Sequence, residues 1–459
     1  MPSPASLSDH RPAPDKRRFR SEAVETMLEE ITSHLPDRDL ATLFSNCFPN
    51  TLDTTVDFTP ADRNGGVPDT YVITGDIDAM WLRDSSAQVN PYLPLCARHD
   101  LPLAAMVAGL IRRQTRCLLL DPYANAFYKD PAKVGEWKTD LTDMKPGLHE
   151  RKYELDSLCY PIRLAHQYWR TTGANSPFDA PWRDAMRRVV ATMKDQQRKD
   201  GNQGKYHFQR TTAMQSDTVA GAGWGLPIKP TGMICSVFRN SDDAALYLFN
   251  VAANLFAVVA LRQLGELLTG TTGGGTDPTL AAEARALADE VETAVRKHGV
   301  REHPVHGEIY VYECDGYGNH VFMDDTGLPS LLSLPYLGYG KATDPIYQRT
   351  RAFSLSADNP YFYKGKAMEG LGSPHTAPKK LVWPLGISTR GLTSADHDEI
   401  IHCLRMLKTT TAGTGFMHEG INPDDPADFT RTWFAWSNSL FAELVLRVYR
   451  ECPDCLNKL

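Results

Sequence analysis

The stretch Asp242-Asp-Ala-Ala-Leu-Tyr-Leu-Phe-Asn-Val-Ala-Ala-Asn-Leu-Phe-Ala-Val-Val-Ala-Leu-Arg-Gln-Leu-Gly-Glu-Leu-Leu268 decides the fold. Its apolar residues, among them Ala244, Leu246, Phe249, Val251, Leu255, Val258 and Leu261, run nearly all the way round a helix instead of keeping to one stripe. Such a helix is buried on most faces and needs other helices around it. The rest of the chain supplies them. Ser21 to Leu35 reads as an amphipathic helix capped by Ser21, with Val24, Met27, Leu28, Ile31 and Leu35 on one side. Leu101–Leu120, Glu154–Arg170, Pro181–Lys199 and the Ala-rich Thr276–His298 carry the same helical signal, and proline stands in the first turn at Pro181. Shorter helices are expected over Gly327–Leu334 and Pro345–Phe353, and further ones over Trp383–Leu407 and Thr432–Glu451.

Strand-like runs are few: Tyr71–Thr74, Tyr206–Arg210 and Glu308–Tyr312. About a dozen helices in pairs, joined by long polar loops that carry aromatic residues, predict an all-α (α/α)6 toroid with a few short strands in its loops. In such a ring the inner helices are apolar all round, the outer ones are amphipathic, and loops at one end build the pocket. Residues 1–20 read as a disordered N-terminal arm, 21–451 as a single domain and 452–459 as a tail.

The net charge of −7 argues against a nucleic-acid surface and against an anionic membrane face. No apolar run reaches the ~18 residues that span a bilayer. The first residues lack the apolar core of a secretory signal, so a cytoplasmic location is expected. The nine cysteines then read as reduced, mostly buried thiols. Cys452-Pro-Asp-Cys455 has redox or zinc spacing, but it stands alone at the chain end and reads as an exposed coincidence. Gly270-Thr-Thr-Gly-Gly-Gly-Thr276 is a connector without the Gly-Lys-Ser/Thr ending of a phosphate loop. Asp315-Gly-Tyr-Gly-Asn319 and Asp324-Asp325 are oxygen-rich yet lack EF-hand spacing. With no zinc-type histidine motif either, no metal and no cofactor are expected.

Tyr71-Val-Ile-Thr-Gly-Asp-Ile-Asp-Ala-Met-Trp-Leu-Arg-Asp-Ser85 holds Asp76, Asp78, Trp81, Arg83 and Asp84 within nine positions, and Ser85 reads as an N-cap for the helix that follows. An indole plate beside fixed Arg and Asp groups suits a neutral polyol; the plain alternative is a buried ion pair beside a core tryptophan. This stretch resembles the signature of glycoside hydrolase family 125, the exo-α-1,6-mannosidases. Six more segments resemble that family in order: Glu150–Ser157, Phe238–Ala244, Pro329–Leu337, Gly370–Thr376, Gly413–Gly420 and Arg431–Asn438. Together they cover roughly Phe44 to Tyr449. The resemblance implies the same toroid, no metal, and a mannose-containing oligosaccharide or N-glycan as partner.

A glycosidase needs one protonated carboxyl and one ionised carboxylate. Asp242 and Asp243 are the first candidates: read as the opening turn behind an N-cap at Ser241, they feel the helix dipole, while burial and mutual repulsion can raise one of them. The resemblance puts the general acid in this motif, with the choice between the two open. Glu419, set between glycines and beside His418, is the second candidate, and the resemblance puts the general base there. Trp81, Arg83, Asp84, Arg239, His375 and His418 complete the expected sugar-binding set. Two departures from the family pattern are Asn240, where proline is common, and Thr326-Gly327-Leu328. The expected activity is an inverting exo-α-1,6-mannosidase, with a carboxyl separation of roughly 6.5–9.5 Å. The alternatives are a sugar epimerase or isomerase on the same toroid, and a non-catalytic carbohydrate-binding scaffold.

Overall fold

The computed structural model describes residues 7–97 and 100–459. Fourteen helices are found among them: α1 (Glu22–His34), α2 (Arg38–Cys47), α3 (Asn50–Thr54), α4 (Leu82–Val89), α5 (Leu101–Leu120), α6 (Leu155–Thr172), α7 (Ala180–Asp195), α8 (Val251–Gly270), α9 (Pro278–His298), α10 (Leu334–Leu337), α11 (Pro345–Ser354), α12 (Pro384–Leu392), α13 (His397–Thr409) and α14 (Ala435–Glu451). The even-numbered members from α4 onward form the inner layer. Helix α4 packs on α6, α6 on α8, α8 on α10 and α12 on α14, and α14 returns to α4 and closes the ring. Helices α5, α7, α9, α11 and α13 lie outside, and α2, near the start of the chain, packs against α14, near its end. The fold is an (α/α)6 toroid.

Local chemistry sets most helix ends. Ser21 Oγ accepts from Val24 N, Asp100 from Leu103 N, Asp179 from Trp182 N and Asp277 from Leu280 N, so one orphan N–H of each first turn has a partner. Contrary to the expectation that no run reaches membrane-spanning length, helix α8 is long and apolar enough to cross a membrane by length and composition, and 83% of its apolar window is buried inside the protein. That burial matches an all-round apolar surface.

Several expectations are corrected. The helix expected from Asp242 begins nine residues later, at Val251, capped by Asn250. The reason is tertiary: the Glu313 carboxylate accepts from Leu246 N and Tyr247 N, and Phe249–Asn250 pair as a strand with Glu313–Cys314. Those N–H groups are taken before a helix can use them, and Leu246 is left 49% exposed. Ser241 is therefore not the cap of α8. Ser85 is not a cap either; it lies inside α4, which starts after Trp81. The Trp383–Leu407 stretch splits at Thr393–Asp396 into α12 and α13, with Asp396 capping the second. Of Gly327–Leu334, only Leu334 is helical. Tyr206–Arg210 makes a single bridge, Gln209 to Leu141, instead of a strand.

Residues 1–6 of the expected arm lie outside the described residues. From residue 7 the chain is laid against the body. The Arg11 guanidinium sits between Glu25, at 2.6 Å, and Asp53, at 2.7 Å. The tail is also placed, as a 3₁₀ turn over Pro453–Lys458 that buries Cys455 and Leu456.

Candidate active site

The N-terminal ends of the inner helices meet around one pocket, whose lining of aromatic side chains with a few placed polar groups is that of a small-molecule site. Arg83 and Asp84 come from the first turn of α4, and Asp242 from the loop before α8. Asp325 and Gly327 precede α10, Trp383 precedes α12, and Glu419, Arg431 and Phe434 precede α14. Helix N-termini carry positive partial charge, which favours the unusual density of carboxylates here.

Arg83 organises the floor. Its guanidinium donates to Glu154 Oε2 at 2.7 Å, Asp156 Oδ2 at 3.1 Å and Asp242 Oδ1 at 3.2 Å, with Asp84 Oδ2 3.5 Å from Nε. Four carboxyls around one buried cation cannot all be ionised cheaply. Burial, opposed by Arg83 and reinforced by the Asp242 charge, pushes Glu154 well above the usual carboxylate range, and burial raises Asp84 to about 6. Burial also works to raise Asp242, but a hydrogen bond from Glu154 and the charges of Arg83, Lys152 and His375 outweigh it and hold Asp242 low. Of the two, Glu154 is the one pushed toward the protonated form, and Asp242, held low, lines the pocket.

Asp242 is also held by its backbone. Its φ of +64° lies in the left-handed region that few residues other than glycine adopt. Lys152 Nζ donates to its carbonyl at 2.8 Å, and Asn125 Nδ2 to its carboxylate at 3.3 Å. Strain of this kind, on the order of 1–3 kcal/mol, persists only where surroundings enforce it. Asp243 does not line the pocket. It accepts from Ser241 Oγ at 2.9 Å and lies 3.6 Å from His375 Nδ1. Burial works to lower His375, but Asp243, Glu419 and Asp242 raise it to about 9, so the ring is an imidazolium at neutral pH.

Glu419, which also lines the pocket, is 8% exposed. Thr430 Oγ1 donates to its Oε2 at 3.1 Å, and Arg431 Nε lies 3.5 Å from Oε1. Gly420 lets the loop approach: a Cβ there would lie 3.0 Å from Leu381 Cβ and 3.1 Å from Trp383 Nε1. Trp81, Trp383, Phe434 and Trp436 supply apolar plates. The indole N–H groups of Trp81 and Trp383 and the Asn240 side-chain oxygen have no partner among the described residues. The pocket therefore combines two carboxylates from different loops, aromatic faces and free polar atoms, a lining suited to a polyol.

Residues 37–446 match the family model for metal-independent alpha-mannosidase (GH125). The chain belongs to glycoside hydrolase family 125. It is 41% identical to the meiotically up-regulated gene 157 protein of Schizosaccharomyces pombe, over 99% of this chain and 91% of that one. A family-125 structure from Streptococcus pneumoniae, a non-productive complex with α-1,6-mannobiose, is 39% identical, with a TM-score of 0.88 over 96% of this chain and 99% of that one. A bacterial glucoamylase complexed with acarbose is similar in fold alone: 13% identity and a TM-score of 0.56, over 93% of this chain and 58% of that one.

Within this family-125 pocket the structure gathers Asp242, Glu419, Trp81, Arg83, Asp84 and His375. Two of the expected sugar contacts are placed elsewhere. Arg239 spends its guanidinium on Glu313, at 2.6 and 3.0 Å. His418 is fully buried, with Nδ1 2.8 Å from the Arg431 carbonyl and its ring stacked on Phe429 at 3.8 Å; it braces the Glu419 loop. Glu154, Asp156, Asp325 and Arg431 were not among the expected site residues. The first two lie in the family-like segment Glu150–Ser157, and the acidic pair Glu154-Leu-Asp156 at a helix start was a further signal. Asn240 and Gly327, the two departures from the family pattern, touch: a Cβ on Gly327 would run into the Asn240 amide.

Proposed function

We propose that this α-mannosidase removes non-reducing terminal mannose from α-1,6-linked mannosides, such as the arms of an N-glycan, with inversion at the anomeric carbon. The observation that carries the reading is that Asp242 and Glu419 both line one aromatic-lined pocket. Asp242 is the general acid. Its carboxyl faces the glycosidic oxygen and takes its proton from Glu154 behind it, so that bond cleavage leaves Asp242 ionised beside Arg83 and Lys152. Glu419, oriented by Thr430 and Arg431, takes a proton from water on the opposite ring face as that water attacks the anomeric carbon. Charged His375 and Asp84 bond hydroxyls of the bound sugar, while Trp81 and Trp383 offer ring faces and indole N–H groups. Asp243 positions His375.

The isomerase alternative needs a pair of proton-transferring groups such as two histidines, and His418 is turned away from the pocket. The nine unpaired cysteines suit the reducing cytoplasm, and we place the enzyme there. The test is to follow α-1,6-mannobiose hydrolysis by proton NMR from the first minutes. Inversion requires β-mannose to appear first and to mutarotate later. If α-mannose comes first, or if Glu419→Gln hydrolyses at the wild-type rate, the mechanism is wrong.

A further inference from the structure

The pocket lies at the N-terminal ends of the inner helices; α14 runs away from it for 17 residues, about 25 Å. The chain then turns at Cys452 and folds back along α13. There, on the rim opposite the pocket, His397, Cys452 and Cys455 bring three ligand atoms within 4.8 Å of one another. We propose that these three residues bind a thiophilic divalent cation of the zinc class, which staples the C-terminal tail to the start of α13.

Three observations carry this. The first is geometric: Zn–S bonds of about 2.3 Å and Zn–N bonds of about 2.0–2.1 Å place ligand atoms on one tetrahedral ion roughly 3.5–3.8 Å apart, and small side-chain rotations close the present spread to that range. The second is that the cluster comes from two segments. The 3₁₀ turn, closed by Cys455 N donating to the Cys452 carbonyl at 2.9 Å, holds the two cysteines of the C-x-x-C pair three residues apart. The histidine comes from the first residue of α13, 55 positions before Cys452, and no sequence motif joins them. The third is that the tail is already docked: Cys455 and Leu456 are buried, and the Arg405 guanidinium of α13 donates to the Lys458 carbonyl. Little chain has to be ordered when the ion arrives.

Two thiolates and an imidazole select a soft or borderline ion over magnesium or calcium. The three residues supply three of the four tetrahedral positions, and a solvent ligand has to supply the fourth. Both thiols must lose their protons to act as ligands, so binding releases protons and weakens as the pH falls. The ion is structural and plays no part in hydrolysis at the far rim.

The full-length protein, purified with a non-thiol reductant and stripped with a chelator, is titrated with zinc against a chromogenic competitor and separately with cobalt(II). One equivalent should bind, and cobalt should show a thiolate-to-metal charge-transfer band. Cys452→Ser should abolish that band and the zinc-dependent rise in melting temperature. His397→Ala should weaken binding by at least ~10-fold, the low end for losing even an outer-shell partner. Mannoside hydrolysis should be the same in all variants, with or without zinc. Cys452 is only half-buried, so its serine variant should fold; a wild-type melting temperature in the absence of metal checks this. The proposal is overturned if the wild type binds no more zinc than Cys452→Ser, if bound cobalt lacks the charge-transfer band, or if the two cysteines are recovered as a disulfide despite the reductant.

Discussion

Replacing Glu154 with glutamine tests the electrostatics of the pocket floor while leaving the pocket lining intact. Glu154 Oε2 and Asp156 Oδ2 both accept from Arg83 Nη1, at 2.7 and 3.1 Å, so the two oxygens are at most about 5.8 Å apart. Two negative charges at that distance repel by ~3 kcal/mol at an effective dielectric of about 20. Both groups are sealed from solvent, which adds to the cost of ionising them together. Folded Glu154 therefore keeps a proton that the unfolded chain releases near pH 4.5. A carboxyl raised in this way contributes its full stability below about pH 4.5 and loses it as the pH climbs. Glutamine is a permanently neutral mimic and has no such loss. Urea unfolding of wild type and Glu154→Gln should give similar stabilities near pH 5, with the variant gaining up to ~3 kcal/mol on the wild type by pH 8. The same variant should hydrolyse mannobiose poorly, with kcat falling toward the ~10²–10⁴-fold loss typical of missing acid catalysis, because an amide cannot return a proton to Asp242. A stability difference that does not change between pH 5 and pH 8 would place the proton elsewhere and refute the shared-proton reasoning.

Other consequences are open to measurement. Glu419→Gln should lower kcat by ~10²–10⁴-fold while calorimetry still detects mannobiose binding; equal loss of both would make Glu419 a binding residue. His375 keeps its charge up to about pH 9, so wild-type kcat/KM should fall as the pH rises through that value, and His375→Gln should have a lower, flatter profile. Gly327→Ala pushes a methyl into Asn240 and should cost roughly 1–3 kcal/mol in a denaturant melt. Gly327→Ala/Asn240→Ala should recover most of it, because the clashing atom is gone. Asp242→Gly relieves the left-handed strain and removes the acid, so it should abolish turnover while costing less stability than Asp242→Leu.

The helices were legible wherever short-range chemistry decides them. Ser21 caps the helix that its position announces, and Leu101–Leu120 has the predicted bounds. Legibility stopped where a distant group intervened. Nothing local to Asp242–Phe249 indicates that the Glu313 carboxylate, more than sixty residues on, takes the N–H groups of Leu246 and Tyr247. The cage on Arg83 was legible only in its local part, the buried ion pair with Asp84; Glu154, Asp156 and Asp242 come from other segments and meet Arg83 only when α4, α6 and the α8 loop converge. His418 shows the converse. Its place beside Glu419 suggested a ligand contact, but the turn directs its ring to the Arg431 carbonyl and Phe429.

The ring's closure has a consequence for biosynthesis. Cys47 in α2 donates to Asn438 in α14 across 391 positions, and Ser439 Oγ donates to the Gln88 carbonyl across 351. The wall that carries Glu419 thus has no seat until α14 has been made, so the faces of α2, α3 and α4 that pack on it stay uncovered in the nascent chain. Such waiting surfaces are what chaperones bind, and slow assembly is expected when decisive pairings span most of the chain.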